Sequence, residues 1–171
     1  MTKVILLEEL KKFSQNATRD LLLPVCMKEG DEVEKYRAPD VYLTRLPDSK
    51  SAKKKAPYIL HQSLTGKDIL LPQKQQESTA HIRTIFCVYH RDEQEGGLAL
   101  LNLMERLRIE LLRRGVVGGQ FKLDLESGLE MLVYPGENLE SYYAGEMLSV
   151  WKLPTIEREV SYVEKGNSNF K

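Results

Sequence analysis

The sequence has no excess of either charge, because 25 lysines and arginines balance 25 aspartates and glutamates over 171 residues. A protein that binds nucleic acid alone usually carries a basic excess, since contacts with phosphate supply most of its affinity. Any contact with nucleic acid is therefore expected to be local or to arise through assembly. The length suits a single domain over residues 1–171 and is too short for two ordinary domains.

Long apolar runs are also missing. No run approaches the roughly 20 residues that a helix needs to cross a bilayer. Residues 1–10, MTKVILLEEL, carry two early acids and too few apolar residues for a signal peptide. We therefore expect no membrane partner.

Few residues suit a metal site. The two cysteines, Cys26 and Cys87, form no CxxC pair and are expected to be buried free thiols in a reducing cytoplasm. The three histidines, His61, His81 and His90, have neither HExxH nor HxH spacing and are expected to be solvated or at the edge of the core. These absences predict no metal and no cofactor.

The first half of the chain predicts one helix and several strands. Apolar residues at helical spacing predict a helix over residues 3–17. The segments VYLTRL at 41–46 and YILHQSLT at 58–65 predict strands, and ILLP at 69–72 predicts a short third strand. Gly, Lys and Asp at 66–68 predict a turn between the last two.

Polar, charged sequence predicts two extended loops, at 46–57 and 73–79. In a protein that assembles, such segments often become ordered only against neighbouring subunits.

The second half has stronger patterns. Residues 80–90 are apolar on both alternating sides, which predicts a central strand buried on two faces. A Leu-rich helix follows over 98–115 and ends at a glycine. Residues 121–133 predict a hairpin with its turn at 126–128. A last long strand is expected at 142–152, with a possible edge strand at 156–163.

The order of these elements predicts an α+β fold in two layers. Strands joined by hairpins imply a mainly antiparallel sheet with long hairpin loops, and the two helices are expected on one face of it. The tail at 164–171, GNSNFK and the residues beside it, is expected to be flexible.

The letters HRD at 90–92 match the start of a protein-kinase catalytic loop. That loop needs an asparagine five residues after the aspartate, and Gly97 stands there instead. Asp92 followed by Glu95 is typical of a capping box at a helix start. We therefore interpret the motif as the junction between a strand and a helix.

A loose nuclease pattern is formed by Asp40, Asp48 and Lys50. In such enzymes two acids hold a metal ion and a lysine steadies the attacking water. Here Asp48 and Lys50 follow Pro47 in a predicted turn, where the pattern requires a strand. A small metal-dependent nuclease remains an alternative function on these residues.

A basic run interrupts the first predicted loop. Its lysines are either a solvated surface or a contact with DNA or an acidic partner. They are Lys50, Lys53, Lys54 and Lys55.

About half of the chain, residues 80–160, resembles small neck and tail proteins of long-tailed bacteriophages and related prophages. Tail terminator or tail-completion proteins are the most similar group. The shared features are a strand, an acidic turn and a Leu-rich helix, then a hairpin and a final strand. They lie in TAHIRTIFCVYHRDEQEGGLALLNLMERLRIELLRRGVV and in QFKLDLESGLEMLVYPGENLESYYAGEMLSVWKLPTIERE.

The resemblance implies a structural virion protein without catalytic residues. Such proteins form a ring, commonly a hexamer, that halts polymerisation of the tail tube, binds its major subunit and joins the head-completion proteins. DNA crosses the lumen without sequence-specific contact. Assembly in the host bacterial cytoplasm and a place in the tail or neck of the virion follow. Another head–tail connector or neck component, or part of a non-viral tail-like particle, is the nearest alternative.

Within such a ring, the loops at 46–57 and 73–79 are expected to reach across subunits or along the tube axis. The lysines of the basic run, or Arg83, are expected to face DNA or acidic neighbours.

Overall fold

The computed structural model describes residues 2–135 and 140–156, and at positions 49–51 it describes the backbone alone. A seven-stranded sheet carries two helices. Both helices pack into one hydrophobic core on the same face of the sheet. The predicted α+β fold in two layers is therefore confirmed. No helix within the described ranges is long and apolar enough to span a membrane.

The described residues contain two helices, nine strands and one 3-10 helix. The helices are α1 (Lys3–Thr18) and α2 (Glu93–Arg114), and the 3-10 helix is Ser49–Lys55. The strands are β1 (Leu23–Pro24), β2 (Tyr36–Arg37), β3 (Asp40–Leu43), β4 (Tyr58–Leu70), β5 (Gln76–Tyr89), β6 (Val116–Val117), β7 (Phe121–Leu123), β8 (Leu129–Val133) and β9 (Tyr142–Leu153). The predicted helix at 3–17 and strand at 142–152 are each confirmed to within one residue.

The sheet order is β3-β4-β5-β9-β7-β6, and β8 also pairs with β9. β1 and β2 form a separate antiparallel pair. The central strand β5 pairs with β4 from Gln76 to Cys87 and with β9 from Ser78 to Tyr89. Its helix-side face is buried from Ser78 to Val88, but the other face is fully buried only at Cys87 and is exposed at His81. The predicted burial on two faces is therefore wrong for most of the strand, which also starts four residues earlier than expected.

A buried polar chain fastens α1 to the sheet. The His61 ring lies between the Ser14 hydroxyl, 2.8 Å from Nε2, and the Thr84 hydroxyl, 2.8 Å from Nδ1. Thr18 donates to the Ser14 carbonyl at 2.8 Å. Burial removes the charged imidazolium from water and lowers the pKa of His61 to about 3. This histidine is therefore a neutral part of the core.

The start of α2 confirms the interpretation of the HRD letters. The Asp92 carboxylate accepts hydrogen bonds from the amides of Gln94 and Glu95 at 2.9 and 3.0 Å. These two bonds hold the pKa of Asp92 below its ordinary value. The Asp92 amide bonds to His90 Nδ1 at 3.0 Å instead of to Glu95, so the second half of the predicted capping box does not form in this turn. Gly115 ends the helix with φ 65°, as predicted.

The turn predicted at 66–68 is wrong. β4 runs without a break through these residues, because β5 pairs with them residue for residue, as in Lys67 with Thr79. The predicted loop at 73–79 is correspondingly shorter, since β5 already begins at Gln76. The result is a long β4–β5 hairpin with its turn at residues 71–75.

The hairpin predicted at 121–133 is also wrong, although both of its strands exist. β7 and β8 pair with β9 and follow one another along its edge. The Asp124 amide donates to the Val150 carbonyl at 2.8 Å, and its carboxylate accepts from the Ser127 hydroxyl at 2.8 Å. Residues 124–128 are therefore a loop that connects two strands lying along the same side of β9.

The predicted loop at 46–57 is not extended throughout, because it contains the 3-10 helix. β3 is shorter than the predicted strand at 41–46 and pairs with β4 in parallel. Neighbouring parallel strands need a crossover of a dozen residues or more, and residues 44–57 supply it. The predicted edge strand at 156–163 lies, beyond its first residue, outside the described residues, as does the tail at 164–171.

We predict that acid destabilises the fold through His61. The pKa of the His61 ring is about 3 in the folded protein, compared with an ordinary value of 6.5. As the pH falls, the unfolded chain therefore binds this proton before the folded protein does. The contribution of the neutral His61 to the free energy of unfolding is fully present above pH 6.5 and is lost as the pH falls towards 3. Between pH 7 and pH 5 the wild-type protein should lose about 2 kcal/mol more unfolding free energy than His61→Gln, measured by urea denaturation. The exposed His81→Gln control should lose as much as wild type, and equal losses for all three proteins would contradict the assignment.

Candidate interaction surface

The 3-10 helix, called the lysine helix below, covers part of the sheet face opposite α1 and α2. Directly after it, Ala56 is buried together with Tyr58, Leu60 and Cys87. Half-buried side chains close this second, smaller core: Tyr42, Leu46, Ile85, Tyr89 and Tyr142. The lysine helix is therefore joined, through Ala56, to a buried cluster on this face of the sheet.

Arg37 anchors the C-terminal end of the lysine helix. Its guanidinium donates to the Lys55 carbonyl at 2.6 Å and to the Pro57 carbonyl at 3.1 Å. The same group pairs with the Asp40 carboxylate at 2.8 Å. One side chain thus ties the lysine helix to the edge strand β3, so the position of the lysines depends on the sheet.

The lysine helix places one of its cations, that of Lys53, over a tyrosine ring. Lys53 Nζ lies 6.0 Å from the centroid of the Tyr142 ring, at the outer limit of a cation–π contact. The Tyr89 and Tyr142 rings are 5.3 Å apart. Lys53 and Lys54 are exposed and Lys55 is half-buried. For Lys50 the structure gives only the backbone position, in the first turn of the same helix.

Beneath the lysine helix, burial suppresses ionisation. It raises the pKa of the Cys87 thiol to about 11 and raises the pKa of the Tyr58 hydroxyl as well. Both cysteines are free, as expected, but only Cys87 is fully buried and Cys26 is half-buried. The neutral thiol is typical of a structural cysteine.

Arg83 stands apart from the lysines. It pairs with the Glu146 carboxylate, and its guanidinium donates to the Tyr134 hydroxyl at 2.9 Å. The Tyr134 hydroxyl in turn donates to Glu146 at 2.9 Å. Arg83 lies about 13 Å from Cys87 along β5, at roughly 3.3 Å per residue. The structure therefore does not join Arg83 and the lysines into one basic site, and Glu146 balances the Arg83 charge.

Beyond the lysine helix, the same face of the sheet is uncovered in the described part of the chain. A shallow groove of about 400 Å³ lies there between the β4–β5 hairpin and β8. Leu64 and Leu148 line it, and Leu132 lies beside it. We call this the open sheet face, and its exposed members are Leu64, His81, Glu130, Leu132 and Leu148.

Besides the outer sides of the short terminal strands β3 and β6, two strand edges are covered by no other strand in residues 2–135 and 140–156. β3 pairs with β4 only as far as His61, so the rest of β4 has one free side. The outer side of β8 is the second free edge, and Leu132 and Val133 there are 55% and 42% exposed. Free strand edges present unpaired amides and carbonyls to another chain.

For the residues of the nuclease alternative, the structure describes the side chains of Asp40 and Asp48 and only the backbone of Lys50. Asp40 is paired with Arg37 in β3. Asp48 immediately precedes the lysine helix, with φ 52°. Within the described residues, no group of three or more His, Cys, Asp and Glu side chains is arranged to hold a metal ion.

The sequence did not predict the open sheet face or the tyrosines beneath the lysine helix. Both depend on which strands become neighbours in the sheet. The exposed leucines of β8 and β9 were the available signal, since Leu132 and Leu148 interrupt the expected polar positions of their strands.

The chain matches no protein-family model, and none of the curated proteins compared with it matches it.

We predict that the lysine helix shields Cys87. Replacing Ser49–Lys55 by seven glycine and serine residues should increase the rate of Cys87 labelling by a thiol reagent at least about tenfold, since labelling requires an accessible thiolate. The measurement uses a Cys26→Ser background with circular dichroism as a fold control. Replacing only Lys53 and Lys54 by Gln should leave the rate near wild type. Equal labelling of all three proteins would show that the helix does not cover the thiol.

Proposed function

We propose that the chain is a structural subunit that closes into a ring of identical copies, commonly six in the family it resembles. The ring is proposed to sit on the head-proximal end of a bacteriophage tail tube. The observation that carries the proposal is the pair of free strand edges, on β4 and on β8, at opposite sides of one sheet. The resemblance of residues 80–160 to tail terminator proteins supports the same role.

Two different free edges suit a head-to-tail contact. When the edge of one copy binds the other edge of the next, each copy uses both surfaces, and the rotation can close a ring. The exposed Leu132 and Val133 then become covered by the neighbouring copy. The part of β4 with a free edge includes the adjacent charged residues Lys67 and Asp68, and its pairing with β5 shifts register between Ser63 and Thr65. Both features restrict which strands can pair with this edge.

The proposed mechanism is steric and cohesive. One surface of the ring binds the last layer of the major tail-tube protein. The other surface does not accept another tube subunit and presents itself to the head-completion proteins. No covalent bond is made or broken in this mechanism, so the chain acts only through its interfaces. DNA passes through the lumen without sequence-specific contact.

The lysine helix is proposed to face an acidic surface of a neighbouring protein or the DNA in transit. Lys53 and Lys54 are exposed on a helix that is anchored by Arg37, so their charges are held at a fixed place. Arg83 is not part of this contact, because Glu146 and Tyr134 already occupy its guanidinium.

The edge of β8 offers a sharp test of the ring. The Tyr134 amide donates to the Ala144 carbonyl of β9 at 3.0 Å. Because amides alternate along a strand, the Val133 amide points away from β9 towards the free side. Proline at this position removes an amide that a neighbouring copy would use and leaves the β8–β9 hydrogen bonds in place.

We predict that Val133→Pro abolishes ring formation and leaves the monomer folded. Sedimentation velocity and negative-stain electron microscopy should show rings for the wild-type protein and for the Val133→Thr control. The proline variant should sediment as smaller species with an unchanged circular dichroism spectrum. Rings formed by the proline variant would contradict the proposed edge contact.

We also predict that Lys53→Glu with Lys54→Glu weakens attachment and leaves the ring intact. Opposite charges at these two exposed positions should repel an acidic surface. Electron microscopy of the rings mixed with tail tubes measures the fraction of tubes that carry a terminal ring. Lys53→Arg with Lys54→Arg is the matched control. Unchanged occupancy for the glutamate variant would remove the lysine helix from the proposed contact. A ring found elsewhere in the neck would favour the connector alternative.

A further inference from the structure

Helix α2 carries apolar side chains on two opposite faces. The first face is buried in the core against β5 and β9 and contains Leu100, Leu103, Met104, Leu107 and Leu111. The second face is exposed, although a helix that packs against one sheet usually shows a polar outer face. Its members are Leu98, Leu101, Ile109 and Leu112, with exposures of 60%, 42%, 45% and 38%.

The exposed face has the spacing of a two-helix seam. Residues 98, 101, 105, 108 and 112 follow each other at alternating steps of three and four, which places them along one line of the helix. Leucines occupy both ends of this line. Glu105 and Arg108 occupy its middle and form an ion pair of 3.0 Å, with their side chains 41% and 39% exposed.

We propose that this seam binds the same seam of a second copy, with the two helices antiparallel. In an antiparallel pair, facing residues have numbers with a constant sum. When Glu105 faces Arg108 of the partner subunit, Leu101 faces Leu112 of the partner subunit, and the reverse contacts follow by symmetry. Two leucine layers then enclose two ion pairs, each formed between opposite charges.

Charge selects this arrangement and this partner. A parallel pair in register would place Glu105 against Glu105 of the partner subunit, and the two Arg108 side chains against one another, which is unfavourable. The antiparallel pair makes the contacts of Leu101, Glu105, Arg108 and Leu112 complementary with a single kind of chain. The contact is isologous, so it produces a two-fold dimer and stops there.

The seam is accessible beside α1. Arg106 on α2 pairs with Asp20, just after α1, at 2.9 Å, and it projects from a different side of α2 than the seam. At about 1.5 Å per residue, the seam from Leu98 to Leu112 is roughly 21 Å long. It lies on the helix layer, whereas the proposed ring contacts lie on the edges of the sheet. The dimer therefore does not rest on the proposed ring.

A charge exchange tests the register. Dimer affinity is measured by sedimentation equilibrium in the Val133→Pro background, so that rings do not contribute; if that background still forms rings, species of two copies are counted separately. Glu105→Arg and Arg108→Glu should each weaken the dimer about tenfold or more, because two attractive pairs become repulsive. The double variant should recover the affinity of the starting protein, since the charges are again complementary.

The matched control is Glu110→Arg. Glu110 pairs with Arg113 at the same spacing as Glu105 with Arg108, so its reversal creates the same repulsion within the helix. It lies off the seam, beside the groove between α1 and α2, and should leave the dimer affinity unchanged. A protein that stays monomeric at roughly 100 µM would overturn the proposal, as would a double variant that stays as weak as the single ones.

Crosslinking gives an independent result. In a Cys26→Ser background, a mixture of Leu101→Cys and Leu112→Cys proteins should form a disulfide-linked dimer under mild oxidation. Each protein alone should crosslink at least about tenfold less, because its new thiol faces a leucine of the partner subunit rather than a cysteine. Equal crosslinking of the separate proteins and of the mixture would overturn the antiparallel register.

Discussion

The structure depends on strand β5 being held on all four sides. β4 and β9 pair with it along nearly its whole length. Its helix-side residues pack under α2 and hold His61 through Thr84, while Cys87 on the other side anchors the smaller core below the lysine helix. The position of each layer therefore depends on the same strand. A shift of β5 by one residue would turn its side chains from one core to the other.

Features with a local physical cause were predictable from the sequence. Asp92 starts α2 and Gly115 ends it, because capping depends on residues only a few positions apart. The partners of the strands were not predictable in the same way. Residues 121–133 have hairpin spacing, but β9 offers both strands a longer partner, and the buried Asp124 shapes the connection between them. Similarly, nothing local to β3 indicates that it pairs in parallel with β4.

The candidate surface was predicted only in part. Composition alone marked the lysine run, but its fixed position depends on Arg37, about twenty residues earlier. Arg83 looked like a free cation because Glu146, which balances it, lies 63 positions away. The outer seam of α2 was hidden for a different reason. Leu111 and Leu112 are neighbours in one Leu-rich sequence, and only the packing of α2 on the sheet buries the first and leaves the second exposed.

The parallel pairing of β3 with β4 has a mechanical consequence. Because α1 and α2 already occupy one face of the sheet, the crossover between these strands has to pass over the other face, and the lysine helix is its central part. Arg37 joins the end of that crossover to β3 itself. A force applied to the lysines would therefore be transmitted through Arg37 to β3, the outermost strand. If β3 separated from the sheet, more of the edge of β4 would be unpaired. Binding at the lysine helix and separation of β3 from β4 would thus be mechanically coupled.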